Sequence, residues 1–392
     1  MTLVHARLAM RQPQRVVVRG LADLVNIGPD RMAASGPSGR SAVTGQIATV
    51  FGCTGFLGRY LVAKLAKQGT QVVVPYRDED RKRHLRVMGD LGQIVPLEFD
   101  VRNTDQIDEC VRHSHIVYNL VGRDYETKNF DYHAVNVEAA RTIANVTARA
   151  GVPRFVQVSH LNAAHDSPSA FYRTKRQGED AVRQEFPNAT IVRPATMFGW
   201  EDKLLNKLHR WPIWFKLNNG QTRVRPTHVL DVAQALANLA NRPALPETLS
   251  LPGPSTTTHN ALLQLVASVL YEPETLAPAL PEWLALAATR AAQFAFWPMI
   301  SPDEVKRRFI DDAFARPVPR TLHAWEHPDD FVPEPEQPGD WDKVGVVPEE
   351  IEQYALLYLR QFRSIGNFAR PAVMPKEAIK LPGVTVASDR AV

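Results

Sequence analysis

From residue 46 onward, short apolar runs alternate with longer amphipathic stretches. The runs QIATVF (46–51), QVVVPY (71–76), QIVPLEF (93–99), HIVYNLV (115–121), RFVQVS (154–159) and ATIVRP (189–194) are rich in β-branched and aromatic residues. Such near-continuous runs read as strands buried on both faces. FLGRYLVAKLAKQG (56–69) spaces its apolar positions for a helix and closes on Gly69. Further helices are predicted over 129–150, 171–185, 228–241 and 256–270, and TLSLPGP (248–254) as a late strand. Strands alternating with helices predict an α/β fold, a doubly wound parallel sheet covered on both faces.

After residue 200 the alternation fades. Proline-rich RPVPR (316–320) and VPEPEQPGD (332–340) interrupt a final third with helices expected over 302–313 and 347–362. The organisation predicted is an N-terminal arm (1–35), a main α/β domain (44–255), and a small C-terminal α-rich substructure with an extended docking tail (256–392). No internal repeat is present.

Composition narrows the function. Of 392 residues, 44% are hydrophobic and 22% charged, ordinary for a globular protein. The net charge of +4 is concentrated at the start: residues 1–50 hold six arginines and two acids, and the remainder is balanced. No basic stripe with interleaved aromatics appears, which argues against nucleic-acid binding. The opening MTLVHARLAMRQPQRVVVRG carries no acid before Asp23 and spaces His5, Arg11, Arg15 and Arg19 at roughly helical intervals. That is the pattern of a mitochondrial transit peptide, with a disordered basic tail as the alternative. No apolar run reaches the length of a membrane span, so no transmembrane helix is expected. Cys53 and Cys110 sit in no pair spacing, which gives neither a zinc motif nor a disulfide framework, and both read as small buried hydrophobes.

The chemistry begins at FGCTGFLGRY (51–60), between the first strand and first helix. Gly52, Gly55 and Gly58 let the backbone approach a pyrophosphate, and the helix N-terminus formed by Thr54, Gly55, Phe56 and Leu57 offers N–H groups and a partial positive charge. This is a Rossmann-type dinucleotide site. At the end of the second strand, VPYRDED places Arg77 where a cationic fork suits a 2′-phosphate, so NADP(H) is expected over NAD. Asp78 is adjacent and would reverse that preference; a merely solvent-exposed Arg77 is the alternative. Asp100 and Val101 end the third strand, suited to an adenine. Leu120, Val121 and Gly122 end the fourth, beside the cofactor.

TGFLG (54–58), DV (100–101), VNV (135–137) and RPATMFG (193–199) together resemble the extended and atypical branch of the short-chain dehydrogenase/reductases. MGDLGQ (88–93), NLVGRDYETKNFDY (119–132) and VSHLNA (158–163) are similar to the nucleotide-binding accessory subunits of mitochondrial respiratory complex I, and the likeness covers about residues 38–315. The resemblance implies tightly held NADPH without turnover, complex I subunits as partners, and a peripheral place on the matrix side of the inner membrane. It also implies cofactor contacts at Ser159, Lys175 and Pro194.

Active members of the superfamily use a tyrosine four residues before the lysine, so that both share one helix face. SPSAFYRTKRQGE (167–179) has Phe171 there, with Tyr172 rotated about 100° around the helix. Phe171 has no proton to exchange, whereas Lys175 can still bond ribose hydroxyls. No catalytic residue is therefore assigned. The alternatives are an active NADP-dependent reductase or epimerase using Tyr172 or His160 as acid, and a redox sensor read through NADPH occupancy. Trp283, Phe294, Phe296 and Trp297, together with Trp211, Trp214 and Phe215, suggest a partner-docking or bilayer-interface surface, against the alternative of a core helix.

Overall fold

The computed structural model describes residues 23–28, 31–35, 43–210, 216–242, 244–272, 278–296, 301–314, 339–368 and 370. Each apolar run becomes a strand of one sheet: β1 (Ile47–Phe51), β2 (Gln71–Tyr76), β3 (Ile94–Glu98), β4 (Ile116–Asn119), β5 (Phe155–Val158), β6 (Thr190–Pro194) and β7 (Thr248–Leu251). Their spatial order is β3-β2-β1-β4-β5-β6-β7, and every neighbouring pair is parallel. The doubly wound expectation is met. Winding reverses between β1 and β4, which opens a crevice at the carboxyl ends of those strands.

Helices α1 (Phe56–Gln68), α2 (Glu79–Arg86), α3 (Thr104–Val111), α4 (Ala139–Arg149), α5 (Ala170–Glu185) and α6 (Val229–Ala240) connect the strands. Side chains alternate across the sheet with period two. Ala48, Val50 and Tyr118 pack with Leu61 and Leu65 of α1 and Val232 and Leu236 of α6. Phe51, Val117 and Phe155 face the other way, against Ile107 of α3, Ile143 of α4 and Val182 of α5. Full burial of each large aliphatic side chain contributes about 1.5–3 kcal/mol. The charged α2 has little apolar periodicity to announce it. It is held by its Asp78 N-cap and by the pairs Lys82–Glu79 (2.6 Å) and Arg83–Asp80 (2.9 Å).

A smaller core joins α7 (His259–Leu270) and α10 (Ile351–Leu359) through Leu262, Leu265, Val269, Ile351 and Leu359. Between them in sequence lie α8 (Glu282–Phe296) and α9 (Pro302–Arg307). The helix expected over 302–313 stops early. The Thr222 hydroxyl donates to the Arg308 carbonyl, and Asp311 and Asp312 accept the backbone N–H groups of Arg223 and Arg225, each at 2.8 Å. Those contacts draw the chain out of the helical path. In the stretch read as a docking or bilayer surface, Trp283 is 70% exposed and Leu284 40%. Trp211, Trp214, Phe215 and Trp297 lie outside the described residues, as do the side chains of Phe294 and Phe296. No described helix is long and apolar enough to cross a membrane.

In the stretch read as an N-terminal arm, Asp23–Gly28 pairs antiparallel with Arg31–Ser35; residues 1–22 lie outside the described residues. Farther on, the chain returns to the main domain after residue 338. Trp341 is buried in its core and its indole N–H donates to the Pro252 carbonyl at 2.8 Å. His228 holds the next segment, its Nε2 2.6 Å from the Tyr358 hydroxyl and its Nδ1 3.1 Å from Glu349. If this return is part of the folding unit, Trp341→Ala should destabilise the chain by about 3–5 kcal/mol. Denaturant unfolding read by circular dichroism checks this; a loss below about 1 kcal/mol would show the segment to be peripheral.

Candidate dinucleotide-binding site

The turn after β1 is dictated by close backbone packing. Gly52 has φ of 81°, and a Cβ there would lie 2.9 Å from the Leu120 carbonyl carbon. At Gly58 a Cβ would fall 2.3 Å from the Gly52 oxygen. Glycine at both positions brings the loop and the start of α1 together. Gly55 is the N-cap, its N–H donates to Gly52 O at 3.0 Å, and it supplies no side-chain cap; the first turn holds no acid. The N–H groups of the first turn have no acceptor within the helix and suit an anion. Phe56 stacks edge-on with Tyr60 and Leu57 is buried in the core, so both serve the site only through backbone.

Beside this turn is a cavity of about 580 Å³, lined among others by Gly52, Thr54, Gly55, Arg77, Arg81 and Val101. Leu120, Val121 and Gly122 form its wall at the switch point, and Phe130 its outer side. Asp78 also borders it, but its carboxylate accepts the Asp80 N–H at 3.1 Å and lies 3.5 Å from Arg81 Nε. Asp78 is thus engaged in starting α2. Arg77 is exposed and makes no hydrogen bond or ion pair with another described residue. Asp100 does not line the cavity; its Oδ1 accepts the Arg102 N–H at 2.9 Å within its own turn. Pro194 ends β6 inside the sheet and stands back from the cavity as well.

Past Gly122 lie the buried side chains of Lys175 and Asn136, and buried Ser159 follows the Val158 whose carbonyl Lys175 reaches. The Ser159 hydroxyl and Asn136 Oδ1 have no hydrogen-bond partner among the described residues, while Asn136 Nδ2 donates to the Thr174 hydroxyl at 3.0 Å. Among the described residues Lys175 Nζ reaches one acceptor, the Val158 carbonyl at 3.5 Å, and a Cβ on Gly122 would sit 2.9 Å from that Nζ. Orphaned buried polar atoms are rare in folded proteins and call for a ligand or water. The donors and acceptors here fit the hydroxyls of a ribose, and the glycine turn fits a pyrophosphate, so the residues present suit a nicotinamide dinucleotide. Asn136 was not singled out from the sequence, although VNV (135–137) contains it. It sits in a π-helical turn, Ala134–Glu138, whose carbonyl at Asn136 requires the absence of a Cβ at Gly178. Arg81 and Phe130 were also missed. Arg81 lies four residues after Arg77, in the first turn of α2, and the Arg102 guanidinium lies 4.4 Å over the Phe130 ring.

Phe171 lies beside Lys175, its ring centre 5.8 Å from Nζ. Tyr172 turns away to the His160 ring, 4.8 Å distant. Burial, with Asp312 nearby, pushes the Tyr172 phenol up to about 12. Burial, with Arg307 and Lys175 adding to it, pushes His160 down to about 3. His160 Nδ1 accepts the Asn162 N–H at 3.1 Å. General acids and bases work best with pKa values near the operating pH, and both groups are shifted away from it.

Burial also holds Lys175 down to about 8 from an ordinary 10.5, with Glu179 offsetting part of the shift. The unfolded chain keeps the ordinary value, so the native state binds this proton more weakly. The resulting destabilisation is fully present below pH 8 and is lost as pH rises through the ordinary value. Lys175→Met should therefore stabilise the nucleotide-free chain on the order of 3 kcal/mol at pH 7, with a smaller gain at pH 9.5. Urea unfolding of both proteins at the two pH values checks it; an unchanged gain would refute the assignment.

Residues 52–243 match a family described as NAD(P)H-binding. In fold, the chain is similar to UDP-glucuronic acid 4-epimerase from Bacillus cereus in complex with NAD, at TM-score 0.51 and 16% identity, covering 67% of this chain and 97% of that one. In sequence it is 39% identical to the mitochondrial NADH-ubiquinone oxidoreductase 40 kDa subunit of Neurospora crassa, over 94% of this chain and 96% of the relative. It is 41% identical to the mitochondrial NADH dehydrogenase [ubiquinone] 1 alpha subcomplex subunit 9 of Rattus norvegicus, over 72% of this chain and 77% of the relative. With a parallel sheet, a glycine turn and near-complete coverage in agreement, the chain belongs to the family of the NADH-ubiquinone oxidoreductase 40 kDa subunit and alpha subcomplex subunit 9.

Proposed function

We propose that this chain is an accessory subunit of mitochondrial complex I that holds NADP(H) as a structural element, peripheral on the matrix side of the inner membrane. The observation that carries the reading is the asymmetry of the nicotinamide end. Three buried groups, Lys175, Ser159 and Asn136, are suited to hold a ribose, and Ser159 Oγ and Asn136 Oδ1 have no hydrogen-bond partner among the described residues, while Phe171 stands where a proton donor is needed. The names of the relatives in Neurospora and rat support the complex and the organelle. Residues 44–255 are the nucleotide-binding domain in this reading, residues 1–35 a presequence, and residues 256–392 the helical segment and tail that meet partner subunits or the bilayer interface.

A nicotinamide dinucleotide, when bound, supplies a transferable hydride. Reduction of a carbonyl also needs a proton donor at the substrate oxygen, and Phe171 supplies none. Lys175 keeps an ammonium near Gly122, the α1 N-terminus would offer N–H groups to phosphate, and Arg77 with Arg81, which line the cavity, would supply cationic forks to a ribose 2′-phosphate. A ligand that binds only the native state stabilises it by about 2.7 kcal/mol at one hundred times its Kd. That is a useful margin for a protein that must persist until assembly.

Arg77→Ala should weaken NADPH binding by roughly 10–100-fold and leave NADH binding within about threefold, the loss of one charge-assisted contact to a 2′-phosphate. Fluorescence titration of the purified full-length chain with each nucleotide checks the preference. Equal losses for NADPH and NADH would assign Arg77 no role in telling them apart. In cells the same substitution should lower the amount of assembled complex. Normal complex levels with no bound nucleotide would contradict a structural role for the cofactor.

A further inference from the structure

Any substrate reduced at this site would have to reach the space beside Phe171 and Lys175, over the N-terminus of α5. Residues 301–314 of the same chain occupy it. Asp303 accepts the Ala170 N–H at 2.7 Å, the Phe171 N–H at 3.4 Å and the Ser169 hydroxyl at 2.8 Å. It thus caps α5 from 130 residues away, placing a carboxylate at the positive end of the helix. One turn on, the Arg307 guanidinium carbon lies 4.8 Å from the Phe171 ring centre, and Nη2 donates to the Asp124 carbonyl at 2.8 Å. Ile310 packs against the cluster of Tyr132, Phe171 and Tyr172.

The far end of the segment is fastened as well. Asp312 accepts from Asn162 Nδ2 at 2.9 Å, and the Ala313 N–H donates to Asn162 Oδ1 at 2.8 Å. The segment therefore bridges the loops after β4 and β5, the start of α5 and the Arg223–Val224 strand. Phe171 and Tyr172 are left 8% and 6% exposed. The 580 Å³ cavity stops at Gly122, short of Ser159 and Lys175 and of His160, Phe171 and Tyr172 beyond them.

We propose that residues 301–314 are a built-in occupant of the substrate end of the cleft, held there by Asp303 and Arg307, so that the chain excludes substrate by its own fold. Phe171 is then a packing partner of Arg307 and Ile310, in addition to being a lost acid. Restoring a tyrosine at that position would place its hydroxyl in a filled space.

Thiol labelling tests this directly. The two native cysteines are buried, with thiols pushed up to about 12 by that burial, so an introduced cysteine reacts against a quiet background. The experiment uses the full chain without added nucleotide, so its outcome does not depend on whether NADP(H) binds. Phe171→Cys should react with iodoacetamide at least 100-fold more slowly than Leu91→Cys, which replaces a fully exposed residue. Adding Asp303→Ala and Arg307→Ala should speed Phe171→Cys labelling at least tenfold, with circular dichroism and the Leu91→Cys rate unchanged. If that variant fails to fold, Asp303→Asn alone takes its place with the same acceleration expected. Labelling of Phe171→Cys as fast as Leu91→Cys, or no acceleration when the segment's anchors are removed, would overturn the proposal.

Discussion

The structure turns on one close contact, the backbone of the Gly52 turn against the first turn of α1 and the end of β4. A Cβ at Gly58 would lie 2.3 Å from the Gly52 oxygen, and one at Gly52 would lie 2.9 Å from the Leu120 carbonyl carbon. Any side chain at either position would force α1 away from β1 or the turn away from the end of β4. The same contact points the uncapped helix terminus into the cavity and sets the floor on which a pyrophosphate would rest. The docking of α1 and the candidate anion site therefore share one packing constraint, and the rest of the cleft lies around it.

Beyond that turn the cleft has two ends of different character. The end bordered by Arg77, Arg81 and Val101 is open and cationic. The other end is buried, and two of its polar atoms, Ser159 Oγ and Asn136 Oδ1, lack partners among the described residues. Past them the chain fills its own space with Arg307, Ile310 and the aromatic cluster around Phe171. An open mouth for the nucleotide and a sealed substrate side suit retention of a cofactor more than its repeated use.

Much of this was legible in the sequence. The seven strands follow from apolar runs because a strand buried on both faces has no polar positions to disguise it. The glycine spacing between a strand and a helix marks the turn for a steric reason that composition records. Other features depend on distant partners. Asp303 looks like an ordinary first-turn acid of its own helix, yet it caps α5. Asp311 and Asp312 continue a helical pattern that Arg223 and Arg225 interrupt. Asp100 matches an adenine contact by position, but that one of its oxygens also serves its own turn shows only in the fold. Asn136 needs the π-helical turn to face the cleft, and no local periodicity announces that turn.

The most direct measurement is a native separation of a mild-detergent mitochondrial extract, with mass spectrometry and nucleotide analysis of each fraction. The account predicts that this chain comigrates with complex I and that the fraction carries NADP(H) in a near one-to-one ratio to it. Migration as a free monomer or small oligomer, or comigration without NADP(H), would contradict the account.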